Sequence, residues 1–156
     1  MRRTRRLLQT RLGTEGARTP GVANPEDQMT DRPDARLVGF VLDAPNPREL
    51  AAFYRELLGW TAYDQDDTWV RLGPADDSRP GLSIQLEPNY RAPTWPGVTD
   101  APQMQAHLDI LVDDLEAASI FAESLGARQA EWQPQQCVRV MIDPVGHIFD
   151  LFVDGS

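Results

Sequence analysis

The chain has no lysine: all 15 of its basic residues are arginine. We read this as a trace of coding composition and draw no mechanism from it. Its one cysteine, Cys137, excludes an internal disulfide framework, and without a C-x-x-C spacing there is no cysteine-based zinc site. A reducing, cytoplasmic setting is the expectation. No stretch approaches the ~20 consecutive apolar residues of a membrane span. Leu7-Leu8 is too short for the apolar region of an export signal. Histidine is scarce too, with only His107 and His147.

What is present is acid. The net charge is −9. Residues 1–28 hold six Arg against Glu15, Glu26 and Asp27, a net of +3, which leaves −12 for the rest. Such a body repels phosphate backbones, and no basic and aromatic residues interleave as in a nucleic-acid groove. The partners expected are therefore a small molecule and no nucleic acid or membrane.

At 156 residues with 41% hydrophobic content, one domain with one core is the default. Residues 1–33 lack sustained apolar periodicity and are expected to be a disordered extension, with Met29 as an alternative start. The domain is expected over 34–156. From Leu37, LVGFVLD is an apolar run of strand length, followed by Asn46-Pro47 as N-cap and first helical residue. Leu50, Phe53, Tyr54 and Leu57 recur at spacings of three and four, which predicts a helix over Arg48–Leu58 ended by Gly59. Strands are expected around Trp60–Tyr63, Thr68–Leu72 and Leu82–Glu87.

The order then repeats. At a constant offset of 67, FVLDAPNPRELAAFY lies on HLDILVDDLEAASIF, and Leu58-Gly59 lies on Leu125-Gly126. The copy continues through Trp132, Val138–Ile142, a turn at Asp143–Gly146 and a strand at Ile148–Val153. This predicts an α+β fold of tandem βαβββ modules, about 37–88 and 106–154, whose curled mixed sheets enclose a cup.

The stretches NPRELAAFYRELLGW, HLDILVDDLEAA and DPVGHIFDLF, in this order, resemble the vicinal oxygen chelate superfamily, the glyoxalase and bleomycin-resistance-like fold, over roughly residues 36–154. The nearest resemblance is to its glyoxalase-like branch. Metal-using members place one ligand on each of four strands. Carried over, the positions are Gly39, Gln85, His107 and Asp150. Gly39 has no side chain and Phe40 beside it cannot ligate, so the resemblance implies a degenerate site of Gln85, His107 and Asp150 for one divalent ion at most. Asp109 or Glu87 substitutes only if the backbone turns differently.

Alternation along the strands gives an independent reason to look at the same face. His107, Asp109 and Leu111 point opposite to Leu108, Ile110 and Val112, and Asp150 opposite to Phe149, Leu151 and Val153. His107 and Asp150 are the candidate catalytic pair. Phe40, Trp69, Gln85, Asp109 and Trp95 are the candidate pocket wall, with Trp60, Trp132 and Tyr90 as further rings. Plainer readings stand beside these: His107 simply hydrogen-bonding Asp109 or Gln85, Asp150 pairing with Arg71 or Arg139, His147 exposed in its turn, and Cys137 as a small core residue.

Two functions follow from the resemblance and the residues. One is a lyase, isomerase or dioxygenase in which a bound metal polarises substrate oxygens and a carboxylate moves the proton. The other is a protein that sequesters an aromatic or cationic compound, as bleomycin-resistance-like proteins do. The missing first ligand favours metal-free action. Open sheet edges lead us to expect a homodimer.

Overall fold

The computed structural model describes residues 34–154. The expected extension at 1–33 lies outside the described residues. Two modules follow one another. The first runs β1 (Gly39–Ala44), α1 (Pro47–Leu58), β2 (Thr61–Gln65), β3 (Trp69–Gly73) and β4 (Gly81–Leu86). The second runs β5 (Leu108–Leu111), α2 (Leu115–Ser124), β6 (Arg128–Gln129), β7 (Val138–Ile142) and β8 (Ile148–Phe152).

Each module folds its strands into one mixed sheet, in the orders β1-β4-β3-β2 and β5-β8-β7-β6. The first strand of each joins the last in parallel, across the helix, while the remaining pairings are antiparallel. The tandem βαβββ expectation therefore holds. One strand was misplaced: Trp132 lies in a loop, and the strand after α2 is the two-residue Arg128–Gln129.

Local chemistry sets α1. The Asn46 side chain, in extended backbone, accepts the Glu49 N–H; Pro47 supplies a fixed φ where no N–H is needed; and Gly59 takes the left-handed conformation at φ 63°. The apolar stripe buries Leu50, Phe53 and Tyr54 almost completely. In α2, Asp114 caps two backbone N–H groups. Its apolar face is less used: Phe121, the expected counterpart of buried Tyr54, is 48% exposed.

The modules share a core. Phe53 and Tyr54 meet Phe149 of β8 edge-to-face at 5.8 and 6.1 Å. Next to these rings the Tyr54 hydroxyl donates to Asp143 Oδ2 at 3.0 Å. Asp143 Oδ1 accepts from the N–H groups of Val145, Gly146 and His147 at 2.9, 2.7 and 2.9 Å. Burial raises the Asp143 carboxyl, against the pull of His147 and of these donors. His147 continues the bridge, and here the expectation of an exposed turn residue fails. The ring is half-buried, with Nε2 2.7 Å from the Asp43 carbonyl and Nδ1 3.1 Å from the Tyr90 hydroxyl. A carbonyl oxygen only accepts, so Nε2 carries a proton and donates it to Asp43.

Tyr54→Phe keeps the ring packing and strands a buried carboxylate oxygen. Urea unfolding should show a loss of about 1–3 kcal/mol. An unchanged midpoint would mean that the bond across the modules contributes nothing.

Candidate functional site

Counting back from the two N-caps aligns the modules at their strands. His107 lies seven residues before Asp114, and Gly39 seven before Asn46. The glycines after the helices, Gly59 and Gly126, are 67 apart, but the N-caps Asn46 and Asp114 are 68 apart, so one residue fewer separates cap from glycine in the second module. Gly39, and not Phe40, is therefore the counterpart of His107, and Val41 that of Asp109. Strand register completes the mapping: Asp109 pairs with Asp150 as Val41 pairs with Ser83. The counterpart of Asp150 is thus Ser83 and not Gln85.

Three of the expected residues come together. His107 Nε2 lies 3.1 Å from Asp109 Oδ1 and 3.7 Å from Asp150 Oδ2. One ligand atom from each lies within 4.8 Å of the others. Asp150 is the shielded member, its side chain 21% exposed. Its Oδ1 is closed off from solvent and has no hydrogen-bond partner among the described residues. Burial raises the Asp150 carboxyl and Asp109 adds to the rise, while His107 opposes it.

Neither expected arginine neutralises Asp150. Arg139 turns to the Val138 carbonyl. Arg71 belongs to the other sheet, where it bonds Asp64 and Asp77 at 3.0 and 2.7 Å and lies 4.6 Å from the Tyr63 ring centre. Across its own sheet Asp150 faces Val140, whereas Ser83 faces Arg71. The same face therefore carries a paired arginine in one module, and in the other an acid that lies across from a valine and 3.7 Å from His107.

The remaining first-module candidates drop out for physical reasons. A Cβ at Gly39 would sit 2.8 Å from the Gly81 carbonyl oxygen, so β1 packs too closely on β4 for any ligand side chain there. The Gln85 amide donates to Asp43 at 2.7 Å and is held within its own sheet. Trp69 pairs with Gln85 along β3 and β4, and Trp95 stacks on Trp132 at 5.3 Å while its ring N–H donates to the Trp132 carbonyl. Neither ring lines the clefts at His107. Cys137 is half-buried at a cleft wall and not in the core.

Two clefts meet at His107 and Asp109. One, of about 510 Å³, is lined by Phe40, Leu58, Trp60, Leu82, Leu108 and Leu111 among others. The other, of about 470 Å³, is lined by Cys137, Asp150, Phe152 and Asp154 beside the shared pair. Among the described residues, no arginine lines either one. Phe40 and Asp109 thus line a cleft, as does Trp60. Its position directly after the terminating Gly59 was the available signal.

Residues 39–152 match the model of the glyoxalase-like domain family. The chain belongs to that family. Solved structures share the glyoxalase-like fold at low identity. A glyoxalase/bleomycin resistance protein/dioxygenase family enzyme from Burkholderia phytofirmans is 14% identical, covering 76% of this chain and 98% of its own, with a TM-score of 0.60. The trypanothione-dependent glyoxalase I of Leishmania major is 16% identical over 78% and 88%, with a TM-score of 0.57. An integron cassette protein from V. cholerae is 17% identical over 80% and 98%, with a TM-score of 0.53. No curated protein matches in sequence. At these identities the likeness is one of fold, and fold does not carry activity. Among the described residues of this glyoxalase-like chain, no helix is long and apolar enough to cross a membrane.

The raised Asp150 carboxyl has a consequence for stability. Its ionisation favours the unfolded chain, so stability falls as pH rises from the ordinary carboxylate value through the raised one, and stays lower above it. Asp150→Asn should therefore melt above the wild type at pH 7 in chelator. The gap should close as the pH is lowered toward the ordinary value. Thermal melts across that range check it, and a lower melting temperature for the variant at pH 7 contradicts it.

Proposed function

We propose that this glyoxalase-like protein binds a small molecule in the paired clefts at His107 and that it does so without a complete chelate. The carrying observation is the pair of clefts sharing His107 and Asp109, one apolar and one acidic. Volumes of this size suit a compound of drug-like dimensions. Phe40, Trp60 and Leu111 supply apolar contact, and Leu111 is 56% exposed. Absence of ligands at Gly39 and Ser83 supports the metal-free reading, since a four-strand set would need donors from both modules.

Nile red, a neutral apolar dye, tests the cleft. It should saturate at one site per chain. Leu111→Arg should weaken it at least tenfold at an unchanged melting temperature. Absence of saturable binding by fluorescence titration would remove the proposal.

A second reading rests on the convergence of His107, Asp109 and Asp150, one ligand atom of each lying within 4.8 Å of the others. One imidazole and two carboxylates suit a hard or borderline divalent ion. His107, Asp109 and Asp150 would hold it, and when bound it would supply Lewis-acid polarisation of substrate oxygens. Apart from it, Asp150 is the residue whose raised carboxyl suits proton transfer, with His107 positioned to hold its charged form. Calorimetric titration of chelator-treated protein with Mn²⁺ should give one ion per chain, lost in His107→Ala. A wild type that takes up none rejects this second reading and leaves the first.

A further inference from the structure

We propose that the ligand of the larger cleft is a short extended peptide that lies between β1 and β5 by strand addition. This rests on the cleft reading above and names its ligand class. β1 is the edge of the first sheet and β5 the edge of the second, and neither has a second strand neighbour among the described residues. The 510 Å³ cleft is lined by Phe40 and by the whole of β5, and a smaller cavity of about 120 Å³ by residues 40–42 with His107 and Leu108. Both hollows therefore touch the two edges. The direction of the main-chain groups follows from the bonds already made. Gly81 N–H donates to the Val38 carbonyl and Glu87 N–H to the Ala44 carbonyl, so the even-numbered residues of β1 face β4. Gly39, Val41 and Asp43 then turn their N–H and C=O groups outward. In β5, Val112 N–H donates to the Phe152 carbonyl, which makes Asp109 and Leu111 the outward residues there.

One outward group already shows what this seam accepts. The Asp43 carbonyl takes the His147 Nε2 proton at 2.7 Å, which closes one end. Among the described residues, no loop or side-chain bond reaches the outward groups of Val41, Asp109 or Leu111. An open strand edge is a template for another strand, and here two edges share one hollow. Their N–H and C=O groups alternate at strand spacing, a pattern that an extended backbone matches and a rigid ring system does not. The side chains select further. Along an extended peptide they alternate in direction, so every second one meets the apolar wall of Leu58, Trp60 and Leu82. The others turn to the side of Asp109, where polar groups are suited. Phe40, Val41 and Leu111 are each at least half exposed, and an added strand would cover them.

The probe is the uncharged peptide acetyl-Thr-Val-Thr-Val-Thr-amide, compared with the same peptide N-methylated at both valines. Each is titrated calorimetrically into the full chain in chelator. The unmodified peptide should bind at one site per chain and displace Nile red. Methylation should weaken it about tenfold, because it removes two donors from one edge of the peptide and leaves every side chain in place. At saturation the unmodified peptide should slow hydrogen exchange at the Val41, Asp109 and Leu111 amides. Val41→Pro deletes an outward N–H without touching the ladder to β4, and should weaken the peptide while Nile red still binds. The methylated comparison and the exchange readout need no variant, so they decide the matter even if the proline chain fails to fold. Equal affinity for the two peptides, or unchanged exchange at the three amides, overturns the proposal. Nile red separates the two levels of failure. If the dye saturates and the peptide does not bind, the strand assignment falls alone; if neither binds, the cleft reading falls with it.

Discussion

Most of the molecule's geometry depends on one buried carboxylate. Asp143 opens the turn between β7 and β8, ties that turn's three N–H groups together, and accepts the hydroxyl of Tyr54 from the other module. A carboxylate taken out of water is unfavourable unless its oxygens are satisfied, and here both are. The four bonds offset the desolvation only while α1 and the turn keep their present places. The junction is therefore both a cost and a specification of geometry. Because β8 begins at Ile148, fixing the turn against α1 also fixes where Asp150 stands. His147 extends the same constraint to β1 by gripping the Asp43 carbonyl.

The duplicated modules use that common frame differently. In the first, the face opposite the helix is closed by Arg71, its two acidic partners and the Tyr63 ring. In the second, the equivalent place beside the last strand holds Val140, which offers nothing to Asp150. One face is thus self-satisfied and the other is left needing a donor. A backbone contact maintains the difference: the Gly81 carbonyl lies where a Cβ on Gly39 would be, so the first module cannot regain a ligand there without moving a strand.

The fold was largely legible because its signals are local. Asn46-Pro47 and Gly59 bracket α1 by capping chemistry alone, and the strand runs read as strands wherever apolar alternation was clean. The site was legible only in its second half. Alternation shows which side of a strand a residue takes, and it correctly grouped His107, Asp109 and Asp150. It does not show which residue stands across from which. Gln85 was chosen by its strand, whereas register places Ser83 opposite Val41 and Gln85 opposite Asp43. One residue fewer between the N-cap and the following glycine in the second module moves the strand correspondence by one. His147, Trp95 and Cys137 were misjudged for a related reason, since their partners or surroundings come from segments distant in sequence: Asp43 and Tyr90, Trp132, and the walls of the acidic cleft.

The stability consequence bears on function. An unsatisfied, water-poor oxygen beside a second carboxylate works against folding, and a chain under selection for stability alone would replace Asp150 with a neutral residue, as the first module has Ser83. Strain of this kind persists where something other than the fold relieves it.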